Sequence, residues 1–237
     1  MQVTQIQPVE MAFRTREAYK TLRSNIEFSG DNIRAIAITS CTPNEGKSEV
    51  SFELSRSMAQ NGSRVLLIDA DLRKSALHRH FVGTKPRYGL SNYLIGKCSM
   101  EDAVCRTDKD GFYTMFSGPV TPTPSELLNS ERFEALLKEG KELFDYLIID
   151  TPPLGSVIDS AIIGTRCDGT VLVIASGEIS YRFAQNVHAQ LKQADCRVLG
   201  CVLNKVDLAG GKGYYGKYYG RYYGKYYGSY YGEDYGE

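Results

Sequence analysis

Tryptophan is absent from the 237 residues, histidine occurs only three times, and neither sign of charge prevails, with 28 Lys+Arg against 28 Asp+Glu. A nucleic-acid binder usually carries a basic excess, so the charge balance speaks against that class. No apolar run approaches the roughly 20 residues that a helix needs to cross a bilayer. The opening MQVTQIQPVEMAFR lacks the apolar core of a signal peptide. Six cysteines stand at positions 41, 98, 105, 167, 196 and 201, with no Cys-x-x-Cys pair and no histidine cluster beside them. That pattern fits neither a zinc site nor a disulfide framework. It leads to the expectation of free thiols and a cytoplasmic location.

What is present is an alternation. Short runs rich in Val, Ile and Leu, at 34–40, 64–69, 112–117, 144–150, 169–175 and 197–204, are continuously apolar, as strands buried on both faces are. Between them lie helix-like stretches at 47–60, 125–139, 157–166 and 180–193, the first closed by Asn61-Gly62 and the second preceded by Pro124. Strand and helix in alternation predict an α/β fold, a mostly parallel central sheet flanked by helices. Ahead of this frame, residues 11–29 read as a helix before the first strand. Ala18, Leu22 and Ile26 lie on its apolar side, and Glu17, Lys20 and Arg23 share a charged stripe. Such a stripe is either a solvated face or a contact surface for another subunit.

The segment SCTPNEGKS at 40–48 follows a predicted strand and opens a predicted helix. Gly46-Lys47-Ser48 at such a junction is the core of a P-loop, in which backbone N–H groups and the helix N-terminus surround phosphates. The loop residues Thr42, Pro43, Asn44, Glu45, Gly46, Lys47, Ser48 and Glu49 are the candidate nucleotide-binding set. Lys47 is expected to reach the β- and γ-phosphates of ATP, and the Ser48 hydroxyl to ligate Mg²⁺. The usual first glycine is replaced by Cys41. Two further strands end in acids, one at Asp69 with Asp71 and Arg73 following, the other at Asp150 followed by Thr151-Pro152-Pro153. Ligands of open parallel sheets bind outside the carboxyl ends of the strands, so these acids converge on the P-loop. Phosphoryl transfer needs positive charge on the transferred group and a carboxylate near the incoming hydroxyl. Asp69 is the candidate base, with Asp71 and Asp150 holding Mg²⁺ through water.

After residue 208 the composition changes. Tyr-Tyr-Gly plus one polar residue repeats to the end, and eleven of the 17 tyrosines lie there: Tyr214, Tyr215, Tyr218, Tyr219, Tyr222, Tyr223, Tyr226, Tyr227, Tyr230, Tyr231 and Tyr235. No aliphatic residue follows Ala209, and frequent glycine raises the entropic cost of ordering. Residues 1–208 are therefore read as one catalytic domain and 209–237 as a disordered tail. Beside an ATP site the tyrosines are natural phosphate acceptors, held at high effective concentration by the tether. Without such a site they would read as an adhesive tract.

Together these residues resemble the bacterial tyrosine kinases of capsule and exopolysaccharide biosynthesis. The resemblance rests on Ser40-x-x-Pro43-x-x-Gly46-Lys47-Ser48, on Asp69-x-Asp71-x-Arg73, on Asp150-Thr151-Pro152-Pro153, on Gly89-Leu90-Ser91, on Ser117-Gly118-Pro119 with Pro124-Ser125-Glu126-Leu127-Leu128, and on the terminal tyrosines. It implies a P-loop protein-tyrosine kinase that modifies its own tail in trans within a ring-shaped homo-oligomer, an octamer. It also implies Asp69 as base, Ser48, Asp71 and Asp150 serving Mg²⁺, and Asn204 near the adenine. A separate membrane-embedded activator would recruit the chain to the inner face of the membrane, and a tyrosine phosphatase would reverse the reaction. The chain departs from the family at three places: Lys20 stands for the first Arg of the oligomer motif Glu-x-x-Arg-x-x-Arg, Asn44 for a loop glycine, and Glu49 for a hydroxyl residue beside the α-phosphate. Two rivals share parts of the pattern. A partition or division-site ATPase would carry a second lysine at the start of its P-loop, absent from Cys41-Thr42-Pro43-Asn44-Glu45. A non-catalytic nucleotide-binding assembly protein would use the tail as adhesive.

Overall fold

Each of the six apolar runs becomes a strand in the computed structural model, which describes residues 2–8, 10–83 and 86–206. The tyrosine repeat, and with it the boundary at 208/209, lies outside the described residues. Along the chain come β1 (Gln2–Ile6), α1 (Phe13–Glu27), β2 (Ala35–Ser40), α2 (Lys47–Gln60), β3 (Val65–Asp69), β4 (Phe81–Val82), α3 (Leu90–Leu94), α4 (Met100–Ala103), β5 (Cys105–Thr107) and β6 (Phe112–Met115). The second half supplies α5 (Pro124–Leu128), α6 (Glu131–Leu143), β7 (Tyr146–Asp150), α7 (Asp159–Gly164), β8 (Gly169–Ala175), α8 (Tyr181–Gln193) and β9 (Val198–Asn204).

Among the described residues the strands form one sheet in the order β4-β1-β5-β6-β3-β7-β2-β8-β9. The run from β6 to β9 is parallel throughout; the antiparallel pairs β1/β4 and β5/β6 are confined to the other end. The mostly parallel sheet read from the sequence is what forms. Every residue of β2 and β3 is buried, because helices cover both faces. On one face Phe133, Leu136 and Leu137 of α6 pack with Leu90, Leu94 and Met100 against Leu66, Ile68, Leu147 and Ile149. On the other, Val50, Phe52, Leu54 and Met58 of α2 pack against Ile36, Ile38, Val65 and Leu67. Alternate residues of each strand thus serve opposite layers. In β3 and β7 the register pairs Asp69 with Asp150 at the carboxyl ends, and in β2 and β7 it pairs Ile38 with Asp150.

Several expectations need correction. The helix over 11–29 does not precede the first strand: β1 comes earlier, short and polar, with only Thr4 and Ile6 buried. Within α1 only Ile26 is buried, the inward side being completed by the half-buried Tyr19, Leu22 and Arg23, whereas Ala18 is exposed. Arg23 therefore leaves the charged stripe; its Nη1 donates to the Ser57 carbonyl at 2.9 Å and its Nε lies 3.7 Å from Glu27. Glu17 and Lys20 stay on the outer side as an ion pair at 2.7 Å. The single helix over 125–139 is two, α5 and α6. Asn129 closes the first and Ser130, in extended conformation, starts the second, which matches the preference of such polar residues for helix ends over interiors. Pro124 occupies the first turn of α5, where its missing N–H costs nothing.

Against α1, the buried Glu53 of α2 pairs with Arg56 at 2.8 Å. Burial pushes its carboxyl up to about 7; the Arg56 charge opposes the shift and Glu49 adds to it. A folded-state pKa above the ordinary 4.5 means that this group's contribution to stability declines as pH rises through the window from about 4.5 to about 7. Glu53→Gln is expected to gain stability relative to the wild type across that window. The ceiling is roughly 3 kcal/mol, at 1.36 kcal/mol per pKa unit, less what the Arg56 pair contributes. Denaturant unfolding at both ends of the window checks it; a difference that does not change with pH would refute it.

Candidate active site

At the end of β2 the chain turns through residues 41–46 into α2. The Cys41 side chain is buried in an apolar cluster with Leu154, Leu172, Val187 and Leu191, so it points into the packing and away from the loop interior. That explains how a side chain is tolerated where a glycine is usual. Asn44 has φ 68° and Gly46 φ 88°, both in the left-handed region. Asparagine is among the few side chains that visit it readily, so Asn44 reproduces the conformation a glycine there would supply. Gly46 is held to glycine on a second ground: an added Cβ would stand 2.1 Å from Asn204 Nδ2.

Glu45 is fully buried, and its carboxylate is consumed by the protein. Oε1 accepts from the Thr42 N–H at 2.5 Å and the Thr42 hydroxyl at 3.1 Å, while Oε2 accepts from the Ala175 N–H at 2.8 Å. Its carbonyl accepts from Asn204 Nδ2 at 2.9 Å. Glu45 thus fastens the loop to the ends of β8 and β9. Glu49 is exposed, with Oε2 3.6 Å from His80 Nε2. Thr42 is half-buried and Pro43 exposed at the loop's outer side.

Lys47 and Ser48 open α2, and both are buried. The Lys47 ammonium donates to the Ser48 hydroxyl at 3.2 Å and lies 3.7 Å from Asp71 Oδ2 and 4.0 Å from Asp150 Oδ1. The strand ends thus bring Asp69, Asp71 and Asp150 to the P-loop, as their positions predict. Asp69 and Asp150 do not ionise freely in this buried place. Burial, with Asp150 alongside, raises the Asp69 carboxyl to about 7, against the opposing hydrogen bond from Ser75. Burial likewise raises Asp150, opposed by Lys47 and by the Ser48 and Ser51 hydroxyls.

Sequence reading missed several residues around these acids. Ser51 donates to Asp150 Oδ1 at 3.2 Å; its place one turn beyond Lys47, on the same helix side, was the available signal. The Ser75 hydroxyl donates to Asp69 Oδ2. Thr39 and Thr151 tie the Asp150 exit to β2, through Thr39 Oγ1 to the Pro152 carbonyl at 3.0 Å and Thr151 Oγ1 to the Ile38 carbonyl at 2.9 Å. Thr39 comes from a separate segment that no local spacing announces, whereas Thr151 adjoins Asp150 in the Asp150-Thr151-Pro152-Pro153 motif and only its hydroxyl's partner went unread.

Among the described residues, the buried Asp150 Oδ2 has no hydrogen-bond partner. A carboxylate oxygen left so is costly unless a cation or its waters complete it. The donors around it, a hydroxyl and carboxylates with no nitrogen or sulfur acceptor, suit Mg²⁺. Among the described residues no three His, Cys, Asp or Glu side chains form a ready-made metal cage. Mg²⁺ ordinarily draws part of its shell from phosphate and water and needs no such cage.

The loop, the helix it opens and the acidic strand ends define a P-loop nucleotide-binding protein, and residues 33–198 match the family model of the AAA domain. The chain is 41% identical over 213 residues to the tyrosine-protein kinase CpsD of Streptococcus agalactiae, covering 88% of this chain and 93% of that one. The kinase domain of the Escherichia coli tyrosine kinase ETK superposes with TM-score 0.76 at 33% identity, over 84% of this chain and 80% of that one. The cell-division ATPase MinD of Pyrococcus furiosus shares the fold at TM-score 0.63 and 27% identity, over 75% and 74% of the two chains. The kinases thus match over more of the chain than the division ATPase, and the division-site rival is not favoured. The chain belongs to the family of bacterial tyrosine-protein kinases.

Substitutions separate the loop's conformation from its latch. Asn44→Gly is expected to retain nucleotide affinity within about threefold. Asn44→Val, strained at positive φ by roughly 1–3 kcal/mol, is expected to weaken it tenfold or more. Glu45→Ala strands the Thr42 and Ala175 N–H groups, each costing about 1–3 kcal/mol, and is expected to lower both thermal stability and affinity. Titration with a fluorescent ADP analogue, beside thermal unfolding, checks all three.

Proposed function

We propose that this kinase transfers the γ-phosphoryl group of ATP to the tyrosines of its own C-terminal repeat, in trans between chains. The observation that carries the reading is the meeting of Lys47 with Asp69, Asp71 and Asp150 at adjacent parallel strand ends, one of those carboxyls being raised to about 7. A general base works best with a pKa near the working pH. Asp69 takes the phenolic proton as the tyrosine oxygen forms its bond to the γ-phosphorus and the bond to the ADP oxygen breaks. Ser75 orients Asp69 for that task. Lys47 spreads positive charge over the β- and γ-phosphates, and the loop amides with the N-terminus of α2 hold them. Ser48, Asp71 and Asp150 hold Mg²⁺, which supplies further neutralisation of phosphate charge when bound. Asn204, whose amide is anchored on the Glu45 carbonyl, is the contact proposed for the adenine.

The acceptor is the repeat from Tyr214 to Tyr235, dense in hydroxyls and tethered to the domain. The oligomer is a ring, an octamer, with the outer side of α1 as contact surface. Glu17 and Lys20 present that surface, while Arg23 seats the helix on α2. Lysine in place of arginine leaves the contact weaker, because an ammonium lacks the planar fork. A separate membrane-embedded protein activates the kinase and brings it to the membrane; among the described residues no helix is long and apolar enough to cross one. A tyrosine phosphatase resets the tail. The output is control of capsular or exopolysaccharide polymerisation and export.

Incubation with Mg·ATP and the activating partner, followed by intact mass and peptide mapping, is expected to place phosphate on the repeat. Lys47→Met should lower the rate at least about a hundredfold; an equally unmodified tail in wild type and variant would overturn the kinase reading for this chain. The wild-type rate should rise with pH towards a plateau above about 7, as Asp69 loses its proton. Asp69→Asn should lose that limb together with roughly 10²–10⁴ of the rate. Full phosphorylation adds roughly 16 to 22 negative charges to a tail of net charge about +1, and the repulsion is expected to break the ring. Light scattering showing unchanged particle mass would refute that.

A further inference from the structure

Arg73 closes the Asp-x-Asp-x-Arg segment, yet its guanidinium does not face Lys47 or the P-loop. It grips Asp159, the first residue of α7, through Nε to Oδ2 at 2.7 Å and Nη2 to Oδ1 at 3.1 Å. This is the two-pronged geometry that gives an arginine–carboxylate pair its direction as well as its strength. Ser125 of α5 completes the group: its hydroxyl donates to Asp159 Oδ1 at 2.6 Å and accepts from Arg73 Nη2 at 3.1 Å. Asp159 is fully buried. Burial alone would raise its carboxyl, but the Arg73 and Ser125 hydrogen bonds overcome that and hold it below the ordinary carboxylate range.

The same arginine touches Asp71 by its backbone. The Arg73 N–H donates to Asp71 Oδ1 at 3.3 Å, and the neighbouring Lys74 N–H donates to the same oxygen at 2.9 Å. The other oxygen, Oδ2, faces the Lys47 ammonium at 3.7 Å. A continuous chain of contacts thus runs from a buried acid on α7, through the Arg73 side chain to its own N–H, and from there to the carboxylate of Asp71. The three elements involved leave the sheet at different places: the loop after β3, the start of α5 and the start of α7. Each is irregular or short, and the Arg73–Asp159–Ser125 hydrogen bonds link them there. Among the described residues no hydroxyl donates to the Asp71 carboxylate, unlike Asp69 with Ser75 and Asp150 with Ser51.

The geometry points to Arg73 and Asp159, with Ser125, as positioning residues that aim the Asp71 carboxylate at the metal side of the nucleotide site. This rests on the reading of Asp71 as a Mg²⁺-side carboxylate. Partners one step behind a metal ligand commonly govern metal affinity by ten- to a hundredfold, because a ligand free to rotate must be ordered on binding. None of the three touches the reacting atoms. Their loss should therefore register first in the Mg²⁺ requirement.

The test uses the full chain and a fluorescent ADP analogue titrated with MgCl₂. Asp71→Asn is expected to raise the Mg²⁺ midpoint, and Arg73→Gln and Asp159→Asn each to raise it about tenfold. In saturating Mg²⁺ the affinity for the analogue should stay within about threefold of wild type. The double variant Arg73→Gln/Asp159→Asn should move the midpoint no further than either single change, since both cut the same chain of contacts. Arg73→Lys, which keeps the charge without the fork, should fall between wild type and Arg73→Gln. A midpoint within twofold of wild type for Asp159→Asn overturns the inference while the Asp71 reading stands, provided Asp71→Asn moves it. So does a double variant whose effect is the product of the single ones, which would mean separate roles. An unmoved midpoint in Asp71→Asn removes the Asp71 reading and this inference with it. Should Asp159→Asn fail to fold, Ser125→Ala carries the decision: a rise of about threefold supports the inference and an unmoved midpoint refutes it.

Discussion

Two aspartates side by side in the interior are the constraint on which the site depends. The register of β3 against β7 sets Asp69 opposite Asp150, both fully buried. Two carboxylates in such a place repel each other and lack the water that would stabilise their charge. Lys47 stands near Asp150 and Asp71, and the hydroxyls of Ser51 and Ser75 each engage one acid. One lysine cannot satisfy three acids, and that shortage is useful. It leaves the Asp69 carboxyl raised to about 7 and, among the described residues, one oxygen of Asp150 without a partner. A protein that satisfied all three acids internally would be better folded there and poorer at binding a metal–nucleotide complex.

The rest of the fold serves to hold that shortage in place. Burial of β2 and β3 on both faces makes the strand ends rigid, so charges meet at distances the side chains alone could not maintain. The loop is clamped from its own side. Glu45 spends its whole carboxylate on backbone and hydroxyl donors, and Asn204 takes its carbonyl. An acid inside a phosphate-binding loop looks like a contradiction, since it competes with phosphate for positive potential. Its negative charge is tied off at Thr42 and Ala175, and what remains is a rigid loop.

The departures from the usual P-loop and from the family pattern turn out to be local solutions. Cys41 packs into apolar neighbours, Asn44 adopts the left-handed conformation a glycine would take, and Glu49 faces His80. Lys20 pairs with Glu17 inside its own helix. The charged stripe read on α1 divides between its two sides. Its outer two residues remain available for contact, while Arg23 is spent on fixing the helix to α2.

From its own pattern the sequence determined the class of fold, the P-loop junction at Lys47 and the acidic strand ends at Asp69 and Asp150. Unbroken apolar runs mean strands buried on both faces, and strands of a parallel sheet present their carboxyl ends on one side. It also determined the repeat of tyrosines, which no fold is needed to see. Only the tertiary structure decided that α5 and α6 are separate helices, that β1 and β5 join the sheet, and that Arg23 turns inward. Short or polar segments carry too little hydrophobic periodicity to announce what they pair with. Glu45, Ser51, Ser75, Ser125 and Asp159 act through partners outside their own short segment or in the next turn of helix. Glu45 meets Ala175 and Asp159 meets Arg73 only because the chain between folds back. A hydrogen bond across so many residues leaves no spacing in the sequence; it is fixed by strand order and register, which are settled when the helices pack.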